Sequence, residues 1–193
     1  MRVLIGCEFS GRVREAFKKK GHDAWSCDYL ETEIEGNHFK RNVLSNDIVK
    51  QHWDLAIFHP DCTFLTVAGA RWMNITWRKE AQLMSLHFVK ALWELPIDKI
   101  CIENPISRLS TLWQKPHQII QPYQFGHQAL KATCFWLKNL EPLQATSDLK
   151  PPKDKHERNK WAICHNESPS IYRWKNRSRT LHGIANAMAE QWG

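Results

Sequence analysis

The sequence predicts an α/β fold in which a mostly parallel sheet carries helices on both faces. Short apolar runs of strand type alternate with helical patterns along the first hundred residues, which is typical of βαβ units. Polar side chains follow the ends of several of these runs, and ligands of open α/β sheets bind at the carboxyl ends of the strands. With 193 residues, the chain has the length of one domain.

The first elements form a strand, helix, strand unit. Residues 2–9 (RVLIGCEF) are a short apolar run of strand type. Val13, Ala16 and Phe17 then recur at helical spacing, and Gly21 stands where a helix commonly ends. The run DAWSCDYL predicts a second strand that ends at Asp28.

The later elements continue this alternation. Residues 53–59 predict a strand, and Arg78 to Leu95 predict a long helix. The apolar stripe of that helix is expected to contain Ala81, Met84, Phe88, Ala91, Leu92 and Leu95. DKICIEN before Pro105 and KATCFWLKNL predict two more strands, and GIANAMAEQW predicts a closing helix with Ile184, Met188 and Trp192 on one stripe.

Residues 141–180 read as a loop-rich basic insertion, because they combine prolines and charges with little periodicity. The formal charge of +7 suits a polyanionic partner. Basic residues are dense between Lys150 and Arg179, where Trp161, Tyr172 and Trp174 interrupt them. Since Lys and Arg hold phosphates and aromatic rings stack on bases, the segment predicts a nucleic-acid surface. A solvated loop with packed aromatics is the alternative.

Composition argues against several other classes of protein. No apolar run approaches the roughly 20 residues of a membrane span. The first residues lack the apolar region of a secretory signal, so we expect a cytoplasmic protein. The six cysteines include no C-x-x-C pair, which argues against a disulfide scaffold or zinc ribbon. Cys164, His165 and His156 match no common zinc spacing, and we expect no metal.

Two groups of residues at strand ends are candidates for binding a ligand. Glu8, Phe9, Ser10 and Gly11 lie in the first strand-to-helix turn, where glycine admits close approach and helix amides are free to donate. No G-x-G-x-x-G pattern is present, so a tight turn is the alternative role of Gly11. Asp28 stands where an acidic side chain commonly binds a ribose, and a turn or N-cap aspartate is its alternative.

Cys62 and Glu103 are the candidates for chemistry. Cys62 follows a strand in the sequence HPDC, so a nucleophilic thiolate is one interpretation and a half-buried structural cysteine the other. Glu103 ends an apolar run, where burial would raise its pKa enough to donate or share a proton. A turn cap is the alternative for Glu103. The pair, on neighbouring strand ends, is more specific than either residue alone.

Together these motifs resemble the cytosine-C5 methyltransferases, in the small form found among phage and prophage genes. CEFSG resembles the Phe-x-Gly turn that receives S-adenosylmethionine, and Asp28 falls at the ribose-binding acid. HPDC resembles the Pro-Pro-Cys loop, IEN the Glu-Asn-Val motif, and KATCFWL falls at the family's Arg-rich strand. GIANAM resembles the Gly-Asn-Ala-Val element beneath the cofactor. The order agrees, and the resemblance covers most of the chain.

The resemblance implies a Rossmann-like methyltransferase fold, with residues 141–180 in place of a full target-recognition domain. It implies methyl transfer from S-adenosylmethionine to carbon 5 of cytosine in DNA, through a cysteine bond to carbon 6. The implied catalytic residues are Cys62, Glu103, Asn104 and Lys131. The implied cofactor-binding residues are Glu8, Phe9, Ser10, Gly11, Asp28, Tyr29, Pro60 and Asn186. The implied partners are DNA or a cytosine nucleotide, and a protein for target recognition.

Three residues depart from the family pattern. Asp61 replaces the second proline of the nucleophile loop, Thr63 replaces the glutamine after the cysteine, and Lys131 stands where an arginine is expected. An acid beside the thiol is expected to raise the thiol pKa. Two alternatives therefore stay open: methylation of a free cytosine nucleotide, and a nucleic-acid-binding or host-interaction protein that keeps the fold with weak catalysis.

Overall fold

The computed structural model of the protein describes residues 1–67, 72 and 74–193. These residues form a sheet in the order β3-β2-β1-β4-β5-β7-β6. The strands are β1 (Arg2–Gly6), β2 (Asp23–Asp28), β3 (His38–Lys40), β4 (Leu55–Phe58), β5 (Lys99–Pro105), β6 (Gln118–Ile120) and β7 (Thr133–Lys138). β1 to β5 pair in parallel, and β7 runs antiparallel to both β5 and β6. The predicted mostly parallel sheet is confirmed.

Helices cover both faces of this sheet, as predicted. The helices are α1 (Arg12–Lys19), α2 (Asn46–Val49), α3 (Thr76–Trp93), α4 (Leu109–Leu112), α5 (Lys155–Lys160), α6 (Ile163–Asn166), α7 (Arg173–Ser178) and α8 (His182–Trp192). A 3-10 helix spans Pro122–Phe125. α1 and α8 pack on one face through Phe17 and Met188, whereas α2 and α3 pack on the other through Ile48 and Val89. None of the described helices is both long enough and apolar enough to cross a membrane.

The predicted strand, helix, strand unit forms because each segment has the pattern its position needs. β1 is buried on both sides, so Val3, Leu4 and Ile5 form a continuous apolar run. α1 ends before Gly21, whose φ of 85° is readily adopted only by glycine. In α8, the predicted stripe of Ile184, Met188 and Trp192 is 0–5% exposed. These predictions are confirmed.

The predicted buried stripe of α3 is confirmed in part, because Leu92 is in the core and Phe88 and Leu95 pack against it partly buried. Its buried residues are Gln82, Leu86, Val89 and Leu92, of which only Leu92 was expected, and Met84 is 72% exposed. The Gln82 side chain is buried, and its amide nitrogen Nε2 donates to the Phe64 carbonyl at 2.8 Å. A polar residue thus takes a core position that an apolar pattern cannot indicate.

A buried arginine fixes the loop that follows β2. Arg14 on α1 has no exposed surface, and its guanidinium donates to Ser26 Oγ at 2.8 Å and to Thr32 Oγ1 at 3.1 Å. It also donates to the Ile34 carbonyl and to Glu15 Oε1. Three of these acceptors, on Ser26, Thr32 and Ile34, therefore tie α1 to β2 and to the loop after Asp28, which is one of the loops at the carboxyl edge of the sheet.

Candidate active site

The candidate residues lie at the carboxyl ends of β1, β2, β4 and β5, which are neighbours in the sheet. The chain crosses to opposite faces after β1 and after β4, since α1 and α3 pack on different sides. This is the switch point at which open α/β sheets bind ligands. The sheet therefore brings residues 59–63, named the nucleophile loop after the role that the resemblance implies, beside the first turn (residues 7–11).

The nucleophile loop is held from both sides. Asn104 on β5 donates from Nδ2 to the Pro60 carbonyl at 2.9 Å, in a buried hydrogen bond. Asp61 Oδ1 accepts from the Thr63 amide at 3.1 Å and from the Thr63 hydroxyl at 2.7 Å. The Cys62 carbonyl accepts from two later amides of the same turn. Asp61 and Thr63, the two departures from the family pattern, thus stabilise the turn that carries Cys62.

The electrostatic environment keeps Cys62 protonated. Burial, followed by the negative charges of Asp61 and Glu103, raises the pKa of the Cys62 thiol to about 11, although the positive charge of Lys131 lowers it. This agrees with the effect expected of Asp61. At neutral pH the group is a thiol, and a base or a bound ligand is needed to form the thiolate.

Glu103 shares a short hydrogen bond with a histidine that the sequence analysis did not select. His59 Nδ1 lies 2.6 Å from Glu103 Oε2, and the two side chains are 9% and 11% exposed. Burial alone raises the pKa of Glu103. The hydrogen bond from His59 and the positive charges of His59 and Lys131 outweigh burial, so the pKa lies below its usual range. The expected rise in the pKa of Glu103 is therefore wrong.

Lys131 completes the catalytic group implied by the resemblance. It lines a cavity of about 10 Å³ together with Glu103, Thr133, Thr180, Leu181 and Ile184. Its Nζ donates to the Arg177 carbonyl at 3.0 Å. Cys62, Glu103, Asn104 and Lys131 thus share one neighbourhood, although they come from three separate parts of the sequence.

On the cofactor side, the first turn is partly explained by helix capping. Glu8 Oε1 accepts from the Ser10 hydroxyl at 2.8 Å and from the Val13 amide at 3.0 Å, so it caps α1. Glu8 Oε2 is buried and has no hydrogen-bond partner among the described residues. Gly11 has a φ of 71°, and a Cβ there would lie 2.7 Å from Arg14 Nη2. The tight turn alone therefore accounts for Gly11.

The remaining implied cofactor residues do not all reach this edge. Asp28 is half-buried, accepts from the Leu30 amide at 2.9 Å, and has its pKa raised by burial. Pro60 is buried in the nucleophile loop. Tyr29 is 69% exposed. Asn186 is exposed on α8 and lines neither of the two cavities described for this edge.

A covering segment, residues 173–180, lies over the first turn. The Trp174 ring is 6.0 Å from the Phe9 ring, and Lys175 Nζ is 5.4 Å from it. Arg179 donates to both carboxylate oxygens of Glu33, at 2.7 and 2.6 Å. Beneath the segment remains a cavity of about 40 Å³, lined by Cys7, Glu8, Phe9, Ser10, His59, Ser178, Arg179 and Thr180. Small-molecule sites usually hold about 300–1,000 Å³.

Other basic residues of the 150–179 stretch face solvent. Those classed as exposed are Lys150, Lys153, Lys155, Arg158, Lys160 and Arg177. Tyr172 and Trp174 are 60% and 55% exposed. The stretch therefore presents cations and aromatic faces together, whereas its Arg179 forms an ion pair with Glu33.

Three exposed residues at the start of α5 have ligand atoms close enough for a cation. They are Asp154, His156 and Glu157, whose ligand atoms lie within 4.8 Å of one another. Asp154 accepts from the Glu157 amide, and Glu157 pairs with Lys160. Helix capping and an ion pair account for this cluster without a metal.

No protein-family model and no curated protein matches the chain. Among solved structures, it resembles a protein that is encoded within an E. coli prophage and proposed to be a DNA modification methyltransferase. The TM-score is 0.50 at 15% identity, over 89% of this chain and 56% of the other. This chain thus spans little more than half the length of that protein. At this identity the likeness shows a shared α/β fold.

Proposed function

We propose that the chain is an S-adenosylmethionine-dependent methyltransferase that acts on carbon 5 of cytosine in DNA. The observation that carries the proposal is the grouping of Cys62, Glu103, Asn104 and Lys131 at adjacent strand ends. The shared fold with a protein assigned as a DNA modification methyltransferase supports methyl transfer in general. The Cys62 thiol and the Glu103 carboxylate support carbon 5 of cytosine as the atom that is methylated.

The first turn has the donors and acceptors that this cofactor requires. Glu8 Oε2 is a buried acceptor without a partner in the described chain, and S-adenosylmethionine carries an ammonium group that can donate to it. Asp28 would accept from ribose hydroxyls, beside Phe9, Ser10, Gly11, Tyr29 and Pro60. Asn186 has the least support, because it faces away. When bound, the cofactor supplies a methyl group made electrophilic by its positive sulfur.

The chain's own residues would activate the cytosine. The Cys62 thiol would first lose its proton to a base or to water. The thiolate would then add to carbon 6, so that a sulfur–carbon bond forms while the C5–C6 double bond opens and carbon 5 becomes nucleophilic. Glu103 binds N3 and the exocyclic amino group, where charge changes during attack. Lys131 stabilises the thiolate by its charge, and Asn104 holds the nucleophile loop through Pro60. After carbon 5 has gained the methyl group, a base or water would remove the carbon-5 proton, and departure of Cys62 as the thiolate would restore the C5–C6 double bond.

The exposed basic stretch supports DNA rather than a free nucleotide as the substrate. Its six exposed cations and two exposed rings suit a phosphate backbone and unstacked bases. Within a duplex, the target cytosine must first rotate out of the stack. We propose that residues 141–180 replace a full target-recognition domain and that a protein partner supplies further sequence reading.

Trapping with 5-fluorocytosine tests this proposal. Duplex DNA containing 5-fluorocytosine, mixed with protein and S-adenosylmethionine, should give a covalent adduct, because fluorine blocks the last proton removal. Cys62→Ser should abolish the adduct. Cys164→Ser is the matched control, since Cys164 is half-buried in α6 outside the grouping and should leave the adduct intact.

Labelled S-adenosylmethionine with duplex DNA or dCMP then distinguishes the alternatives. Label in DNA supports the proposal, and label in dCMP alone shows the nucleotide enzyme. If Cys62→Ser transfers methyl groups as fast as wild type, Cys62 is not the nucleophile.

Two observations favour a second function, nucleic-acid binding with little turnover. The pKa of Cys62 is about 11 and the covered cavity is small, which both disfavour rapid catalysis. In that case neither substrate gains label, yet duplex DNA binds. Binding through phosphates should weaken steeply between 50 and 200 mM salt, by roughly 10³-fold for about six contacts. Binding independent of salt would contradict a role for the basic stretch.

A further inference from the structure

The hydrogen bond between His59 and Glu103 poses a chemical question for the proposed function. Glu103 has a lowered pKa and is therefore a carboxylate, which can only accept hydrogen bonds. His59 Nδ1 must carry the hydrogen that lies between them. A carboxylate cannot itself give a proton to N3 of a pyrimidine. The proton has to come from a group bonded to it.

We propose that His59 is a positioning residue that orients Glu103 and supplies, through it, the proton that N3 of cytosine takes up. The inference rests on the proposed function. Its geometric basis is the 2.6 Å contact between two side chains that are about nine-tenths buried. His59 is itself fixed, because it directly follows β4 and its amide donates to the Gly6 carbonyl at 3.0 Å.

The pair also spans the two cavities of the site. Glu103 lines the cavity that contains Lys131, whereas His59 lines the cavity that contains Glu8 and Cys7. His59 Nε2 is buried without a partner in the described part of the chain. The second cavity, about 40 Å³, has room for a water molecule to accept from Nε2 in the imidazolium form. A proton can therefore be held on His59 without leaving the site.

The proton and electron pairs balance in this scheme. As Cys62 bonds to carbon 6, the electron pair of the C5–C6 double bond moves through carbon 4 to N3. His59 Nδ1 first gives its proton to Glu103, so His59 becomes neutral and Glu103 becomes a carboxylic acid. The acid then gives this proton to N3 and is a carboxylate again. After carbon 5 has gained the methyl group, N3 becomes acidic and returns the proton by the same route.

Substitution of His59 by asparagine separates orientation from proton supply. Asparagine keeps an N–H donor near the position of Nδ1 but cannot exchange a proton, whereas His59→Leu removes both functions. We expect His59→Asn to lower kcat for methyl transfer to duplex DNA by about 10²–10⁴-fold, the usual worth of a positioned acid or base, with KM changed far less. His52→Asn is the control, since His52 forms an exposed pair with Asp54.

The pH profile adds a readout that a structural role would not change. The pH profile of kcat should differ between wild type and His59→Asn, because only wild type has an exchangeable proton in the hydrogen bond to Glu103. The charged or titratable groups facing His59 are Glu103, Asp28, Glu8, Arg179 and Cys7, with Lys131 acting on Glu103. A His59→Asn enzyme within about threefold of wild type in kcat would overturn the proposal.

Nuclear magnetic resonance decides the question even if no methyl transfer is found. Protein labelled with ¹⁵N-histidine should show a protected, downfield Nδ1 proton for His59, and Glu103→Gln should shift it or remove it. If wild type is inactive on every cytosine substrate but shows this resonance, the proposed function is wrong, whereas the hydrogen bond between His59 and Glu103 is confirmed. Absence of an Nδ1 proton that depends on Glu103 would overturn the pair itself.

Discussion

Replacement of Asp61 by asparagine should make Cys62 more reactive. Asp61 is the largest cause, after burial, of the rise in the Cys62 pKa to about 11. Asparagine removes the negative charge but keeps the oxygen that accepts from Thr63, so the turn is preserved. Because loss of a negative charge favours the thiolate, the pKa of Cys62 should fall.

The size of the effect follows from the thiolate fraction. With a pKa of about 11, roughly one Cys62 in a thousand is ionised at pH 8, against about one in four for a free thiol of pKa 8.5. Alkylation of wild-type Cys62 should thus be on the order of 100-fold slower than that of a free thiol. Removing one adjacent exposed charge changes the pKa by about half to one unit, so Asp61→Asn should react about three- to tenfold faster.

Alkylation with iodoacetamide at pH 7–10, followed by peptide mass spectrometry, measures each cysteine separately. Glu80→Gln is the charge-matched control, since Glu80 is exposed at the start of α3 and is not among the causes of the Cys62 shift. It should leave the Cys62 rate unchanged. A wild-type Cys62 that alkylates with an apparent pKa below 8.5 would refute the electrostatic description of the loop.

Three further predictions concern stability and the covering segment. Unfolding free energy should fall as pH rises from about 9 toward 12, because burial raises the pKa of Cys27 to about 12 and that of Cys134 to about 11, so the unfolded chain releases these protons first. Arg14→Leu should cost about 1–3 kcal/mol in urea unfolding, since it removes the donor to the buried Ser26 hydroxyl and to three partly buried acceptors. Glu33→Gln should speed tryptic cleavage at Arg179 by about two- to fivefold, because a partly exposed ion pair contributes about 0.5–1 kcal/mol.

The first of these predictions has a contradicting outcome, and the other two have control variants. Constant stability between pH 8 and pH 11 would contradict the thiol shifts. Lys18→Leu, on the exposed side of α1, should change unfolding by less than about 0.5 kcal/mol, and an equal loss in both variants would remove the special role of Arg14. Glu31→Gln breaks an exposed pair with Lys40 instead and should leave cleavage at Arg179 unaltered.

The sequence predicted the elements whose patterns are local. β1, α1 and β2 follow from short apolar runs, helical spacing and Gly21. Three-residue strands such as β3 and β6 went undetected, because three residues are too few to show the alternation of apolar and polar side chains that indicates a strand. α3 was found, but its face was misassigned where Gln82 replaced an apolar residue in the core.

For the site, strand-end placement was enough to select Cys62 and Glu103. His59 was missed because its partner lies 44 residues away, and only the pairing of β4 with β5 brings the two together. The direction of the Glu103 pKa shift was missed for the same reason. Contact between Phe9 and Trp174 joins the two ends of the chain, and no periodicity in residues 141–180 indicates it.

That contact has a kinetic consequence. A ligand that needs the space that Trp174 occupies against Phe9 can bind only to conformations in which the covering segment has moved away, so its binding is coupled to a prior equilibrium of the free protein. If about 1% of molecules are open, the measured affinity is about 100-fold weaker than the intrinsic one. The observed association rate then stops rising at high ligand concentration and levels off at the opening rate, which stopped-flow quenching of Trp174 would reveal.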